Sequence, residues 1–198
     1  MKKIGIFGGT FDPPHLGHLA VARAALQQFN LCEIRFMTGG VPPHKQGSEI
    51  TSPRQRFEMT RLAVENENKL IADNYEINKK TYSYTAETLI ELKGKNKNWE
   101  IYFIIGEDSL LNFNSWYMPE VIAENCILAV YPRGRNSNLK ELIDIRKTEF
   151  NADIRLIEAE TVEISSTMIR RGIKSGECMS DFLPKRVAEY IKHNGLYV

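Results

Sequence analysis

The chain has 198 residues, 42% of them hydrophobic, with 26 Lys+Arg against 25 Asp+Glu. That size suits one sizeable core, read as a single domain over residues 1–198, and the near-zero net charge excludes the broad basic field of a nucleic-acid binder. No apolar run approaches the roughly 18 residues of a bilayer span, and the run after Lys2-Lys3 stops at Phe7, too short for a signal-peptide core. The expectation is a cytoplasmic protein with no membrane partner. Cys32, Cys126 and Cys178 are odd in number and widely spaced, and read as reduced thiols.

The apolar residues 2–7 predict a first strand, which meets Gly8-Gly9 and a Pro-Pro turn. From Leu16 to Phe29 apolar residues recur near every 3.6 positions, predicting an amphipathic helix that ends at Asn30. Glu33–Met37 is a second strand, parallel to the first because a helix joins them. An irregular loop, Val41-Pro-Pro-His-Lys45-Gln-Gly-Ser, follows. Ser52-Pro53 starts a helix, with proline where no N–H is missed. Leu70–Ala72 is a short strand, Glu76-Ile-Asn another extended piece, and Ser83-Tyr84-Thr85 leads into a helix ended by Gly94.

Trp99–Ile105 is the most apolar strand and is placed centrally. It ends in a loop, Gly106-Glu107-Asp108. Helical turns are expected around Leu110–Asn112 and from Met118 to Glu124. Cys126–Tyr131 is a strand, Leu139–Phe150 a polar helix and Asp153–Ile157 a final strand. Hydroxyl residues at 165–167 cap a short helix, and Pro184 starts the last one. Strands alternating with helices predict an α/β fold: a Rossmann-like, doubly wound, mostly parallel sheet with helices on both faces and a small helical part from about residue 164.

His15 and His18 share one helix face behind a glycine turn at a strand's carboxyl edge, where open α/β sheets bind ligands. Three readings compete. Two imidazoles alone make a weak metal site, with no HExxH or cysteine pair to complete it. A catalytic acid, base or nucleophile is the second. The third, which suits a helix N-terminus beside glycines, is a pair of donors that meet phosphate oxygens and carry positive charge to them. Lys45, taken without its neighbours, reads first as a solvated loop lysine and second as a phosphate contact. Ser165–Thr167 read as a plain N-cap or an anion site, and Arg133 as a turn arginine or an adenosine- or phosphate-side group. Asp108 reads as an N-cap or a ribose contact, and Trp116 as a core anchor or a stacking platform.

Gly9-Thr10-Phe11-Asp12-Pro13-Pro14-His15-Leu16-Gly17-His18 resembles the GTFDPxHxGH form of the HxGH motif of nucleotidyltransferases. Ile164-Ser165-Ser166-Thr167-Met168-Ile169-Arg170 resembles the superfamily's ISSTxIR motif, in the expected order. Pro42-Pro43-His44-Lys45, Tyr84-Thr85-Ala86-Glu87-Thr88-Leu89 and Gly106-Glu107-Asp108-Ser109-Leu110 with Trp116-Tyr117 are similar to segments of the nicotinate-mononucleotide adenylyltransferases. Pantetheine-phosphate adenylyltransferases, usually shorter, are the alternative.

The resemblance implies adenylyl transfer from ATP to nicotinate mononucleotide in NAD biosynthesis, with magnesium on the triphosphate rather than in a protein cage. It implies an ATP site of Gly8, Gly9, Thr10, Phe11, His15, His18, Gly106, Asp108, Arg133, Ile164, Ser165, Ser166, Thr167 and Arg170. The mononucleotide site it implies is Lys45, Tyr84, Thr85, Trp116 and Tyr117, and the catalytic groups are His15, His18, Lys45 and Arg170. A homo-oligomer is compatible with the family.

Overall fold

A computed structural model describes residues 1–40, 50–79, 83–133, 138–159 and 164–198. The strands are β1 (Lys2–Gly9), β2 (Glu33–Thr38), β3 (Leu70–Asp73), β4 (Trp99–Gly106), β5 (Ile127–Tyr131) and β6 (Ile154–Leu156). They form one six-stranded sheet in the order β3-β2-β1-β4-β5-β6, and every pairing is parallel. The chain therefore works outward from β1 to one edge, returns, and works outward from β4 to the other. Where the order reverses, between β1 and β4, the connections leave in opposite directions and open a crevice at the strands' carboxyl ends.

The helices are α1 (Leu16–Gln28), α2 (Pro53–Val64), α3 (Thr85–Lys95), α4 (Glu107–Leu111), α5 (Pro119–Asn125), α6 (Leu139–Phe150), α7 (Ser166–Lys174) and α8 (Lys185–His193). Alternation along the central strands sends neighbouring residues to opposite faces. Phe7, Tyr102, Ile104 and Ala129 pack under α1, α2, α7 and α8, where Ile169, Val187 and Ile191 join the core. Ile4, Ile6, Phe103, Ile105 and Leu128 pack under α3 to α6. Both faces of the sheet are thus covered, which accounts for its nearly unbroken apolar strands.

Most boundaries follow the sequence pattern: α6 begins at Leu139 and ends at Phe150, and Asn30 takes a left-handed φ of 51° just past α1. Three expectations fail. Glu76–Asn78 is a turn, because the Asp73 carboxylate caps Tyr75 N–H (2.9 Å) and bends the chain away from the sheet. Gly94 lies inside α3, whose end is capped instead at Asn96. Gly106-Glu107-Asp108 is not a loop; β4 runs directly into α4, with Gly106 at the N-cap. Among the described residues no helix is long and apolar enough to cross a membrane. All three cysteines are unpaired.

Candidate active site

The crevice is a cleft of about 720 Å³, lined from both sides of the β1–β4 boundary. Its floor is the end of β1 and the turn into α1. A Cβ on Gly9 would lie 2.8 Å from the Phe11 ring, so backbone and ring can approach this closely only at glycine. Phe11 (φ 49°) turns the chain and buries its ring against Phe7 and Phe36. Gly17 has a similar constraint, since a Cβ there would meet His15 Nδ1 at 3.1 Å.

The imidazoles of His15 and His18 stack at 3.6 Å between centroids. His18 Nδ1 accepts from the His15 backbone N–H (3.2 Å), which leaves the His18 proton on Nε2 as a donor. His15 Nδ1 is buried and has no hydrogen-bond partner among the described residues. Burial first, and then Arg133, holds the His15 pKa down at about 3. Burial, His15 and Arg133 hold His18 well below the ordinary imidazole range. The expectation that these histidines carry positive charge runs against this burial. Near neutrality they are uncharged donors, because two imidazoliums at stacking distance in a dry wall would repel.

Positive charge comes from the surrounding arginines. Arg133 follows β5, where its Nη2 donates to Tyr131 Oη (2.9 Å) and its Nη1 lies 3.5 Å from Asp108. Arg170 projects from α7, its Nη1 donating to the Asp12 carbonyl (2.7 Å) and its Nη2 reaching Thr167 Oγ1 (3.4 Å). Ser165 caps α7 by accepting from Met168 N–H (3.1 Å), and Ser166 Oγ donates to the Pro13 carbonyl (2.8 Å). Both hydroxyls are therefore engaged in structure. Ser166 and Thr167 at the start of α7 line the cleft, and the first N–H groups of a helix have no partner within it, so this end is able to take an anion.

The cleft lining brings together Gly8, Gly9, Thr10, Phe11, His15, His18, Gly106 and Arg133. Ser165, Ser166, Thr167 and Arg170 line it from α7, and Thr85 and Trp116 from the α3 side. Trp116 rests one side on Phe103 and Phe113, at 6.3 and 5.7 Å between centroids. Four expected residues do not line the cleft. Ile164 packs into the core, Asp108 is inside α4 and is not its N-cap, and Tyr84 and Tyr117 pack on each other at 4.5 Å. Lys45, with the Pro-Pro-His-Lys segment, lies outside the described residues.

Three further residues shape the site. Arg56, on the inner face of α2 and only 1% exposed, donates to the carbonyls of Thr51, Thr10, Gly39 and Gly40 at 2.7–2.9 Å. Tyr197 Oη donates to Asp12 Oδ1 (2.6 Å), and Thr51 N–H donates to Oδ2 (3.3 Å). Glu76 lines the cleft near Gly39. The one signal of these in sequence is an arginine on the apolar stripe that carries Met59, Thr60 and Ala63.

The cytidylyltransferase-like family model matches residues 6–172. The chain belongs to this family. It is a nucleotidyltransferase, and its curated relatives are more specific. A protein of Clostridium botulinum (strain Eklund 17B / Type B) named "Probable nicotinate-nucleotide adenylyltransferase" is 39% identical over 100% of this chain and 98% of its own length. One of Clostridium tetani with the same name is 39% identical over the whole of both chains. The Plasmodium falciparum nicotinic acid mononucleotide adenylyltransferase, solved as a complex with NaAD, shares the fold at a TM-score of 0.81 and 20% identity, over 100% of this chain and 98% of that one.

Proposed function

We propose that the chain transfers the adenylyl group of ATP to nicotinate mononucleotide, giving nicotinate adenine dinucleotide and pyrophosphate in NAD biosynthesis. The observation that carries this reading is one cleft whose lining joins a neutral histidine pair with Arg133, Arg170 and the start of α7, and with an indole and the start of α3. A triphosphate suits the arginines and the helix start, and a flat ring suits the indole. The 39% identity to relatives bearing that activity in their names supports it.

The nucleophile, a 5′-phosphate, is already an anion, so no base must generate it. What opposes reaction is repulsion between phosphates and loss of in-line orientation. His18 Nε2–H donates to the α-phosphate, and His15 lies stacked behind it. Thr10 N–H and the first N–H groups of α7 hold the β- and γ-phosphates. Arg133 and Arg170 neutralise charge that develops in flight. Lys45 is assigned to bridge attacking and attacked phosphates.

Among the described residues no three His, Cys, Asp or Glu groups gather to hold an ion. Magnesium is assigned to the triphosphate, with phosphate and water as its ligands and charge neutralisation as its contribution. Trp116 stacks on the pyridine ring, and backbone N–H groups near Thr85 and Tyr117 receive the nicotinate carboxylate. The cytoplasm is the compartment this reading implies.

Purified protein given ATP with nicotinate mononucleotide, nicotinamide mononucleotide or phosphopantetheine tests the proposal. Pyrophosphate release is expected chiefly with nicotinate mononucleotide. Preferential turnover of phosphopantetheine would overturn it in favour of pantetheine-phosphate adenylyltransferase.

A further inference from the structure

Glu76 is a carboxyl that the chemistry above leaves without a task. It sits in the turn after β3, on the β2 side of the cleft, away from Arg133 and α7. Its Oε1 accepts from Thr88 Oγ1 (3.1 Å), one turn along α3 from Thr85. Its Oε2 lies 3.7 Å from where a Cβ on Gly39 would be, at the carboxyl end of β2. No described residue donates to that oxygen. The other carboxylate in the lining, Asp12, has both oxygens taken by Tyr197 and Thr51. Burial pushes the Glu76 carboxyl up to about 7, with Asp73 adding to the rise and Thr88 and Lys79 opposing it. A desolvated carboxyl in a cleft wall, with one oxygen that no described residue engages, marks a position suited to receive a donor.

The mononucleotide offers three kinds of polar group. Its phosphate and its nicotinate carboxylate are anions and acceptors, which Glu76 repels when ionised. Its ribose 2′,3′-diol supplies O–H donors. We propose that Glu76 binds the ribose of the mononucleotide substrate, its Oε2 accepting a hydrogen bond from the cis-diol while Thr88 holds Oε1. This rests on the nicotinate mononucleotide reading and adds a specificity residue to it. Thr88 anchors one oxygen and so orients the other, which makes Glu76 a reader of sugar identity and not of the reacting phosphates.

The test compares nicotinate mononucleotide with its 2′-deoxy and 3′-deoxy analogues at saturating ATP. Wild-type protein is expected to show a KM raised about tenfold or more for at least one analogue, as losing a hydrogen bond to a charged acceptor requires. In Glu76→Ala the KM for the ribonucleotide rises by about the same factor, the preference over the deoxy analogue falls to about twofold or less, and the KM for ATP stays put. Glu76→Gln, which still accepts from Thr88, guards against a folding defect and is expected to weaken the preference several-fold. Full discrimination retained in either folded variant overturns the assignment, as does a KM for ATP that rises in step. Equal KM values for all three sugars in wild type refute the ribose role alone. Failure of wild type to use any pyridine mononucleotide refutes the proposed function instead.

Discussion

Arg56→Met is the perturbation whose cost the structure specifies most fully. The side chain keeps much of its bulk but loses every donor, and four backbone carbonyls lose a charged partner: Thr51, Thr10, Gly39 and Gly40. Hydrogen bonds to charged groups contribute about 1.5–3 kcal/mol each. Two corrections lower the total. Gly39 and Gly40 border the cleft, so water can replace the guanidinium there. Removing a buried cation also relieves its own desolvation. What remains is a net loss of about 3–5 kcal/mol, the range for breaking a buried charged contact. For a chain of this size that lowers the thermal midpoint by about 6–20 °C. Arg56→Lys recovers only part of it, because an ammonium at one point cannot reach oxygens on three separate segments. Thermal and urea unfolding followed by circular dichroism measure both variants. A midpoint within about 2 °C of wild type for Arg56→Met, or full recovery by lysine, would refute the clamp.

Further outcomes follow from the same site. His18→Ala removes the Nε2 donor and is expected to lower kcat about 10²–10³-fold with the fold intact; near-normal turnover would remove His18 from the α-phosphate. Trp116→Ala is expected to raise the KM for nicotinate mononucleotide about five- to a hundredfold, the worth of one stacked ring, while the KM for ATP stays level. A rise confined to ATP would sink the stacking assignment. Acid should weaken the fold through the histidine pair. His15 titrates at about 3 when folded and at the ordinary imidazole value of 6.5 when unfolded, so the unfolded chain binds the extra proton between those values. Stability is then full above pH 6.5 and lost as pH falls towards 3, by about 1.4 kcal/mol per pH unit. The double variant His15→Asn, His18→Asn should therefore lose less thermal midpoint than wild type on acidification, and an equal loss would contradict the neutral pair.

The elements that could be read ahead of the structure are those governed by local periodicity. β4 is a long apolar run, α6 has a helical repeat between loops, and α2 carries serine and proline at its start. The segments around His15–His18 and Ser165–Arg170 were legible as turns into helices for the same reason, since each is contiguous and carries the chain into a helix N-terminus. What escaped were contacts without a period. Arg56 meets Thr10 across 46 positions, and although its place on the apolar stripe of α2 marks it as inward-facing, nothing local names the carbonyls it reaches. Tyr197 and Glu76 are single polar residues whose partners lie on other elements. The charge state of the histidines was missed because desolvation depends on what packs over the rings, which a motif does not record. Glu76–Asn78 failed as an extended segment because one side chain–backbone hydrogen bond, Asp73 to Tyr75, outweighs three residues of weak preference.

The Asp12–Pro13 segment has an implication for how the protein comes into being. Its partners Tyr197, Arg170 and Ser166 follow it by 185, 158 and 153 residues. At about 5–20 residues per second, a ribosome adds the last of them about 10–40 s after the segment itself has been made. During that interval the nascent chain has β1 and its histidines but lacks the residues that fix the turn between them. Competence to hold a triphosphate is therefore acquired late in synthesis, once α7 and α8 have docked. A nascent chain stalled before residue 166 would bind ATP poorly however well its first strands had paired.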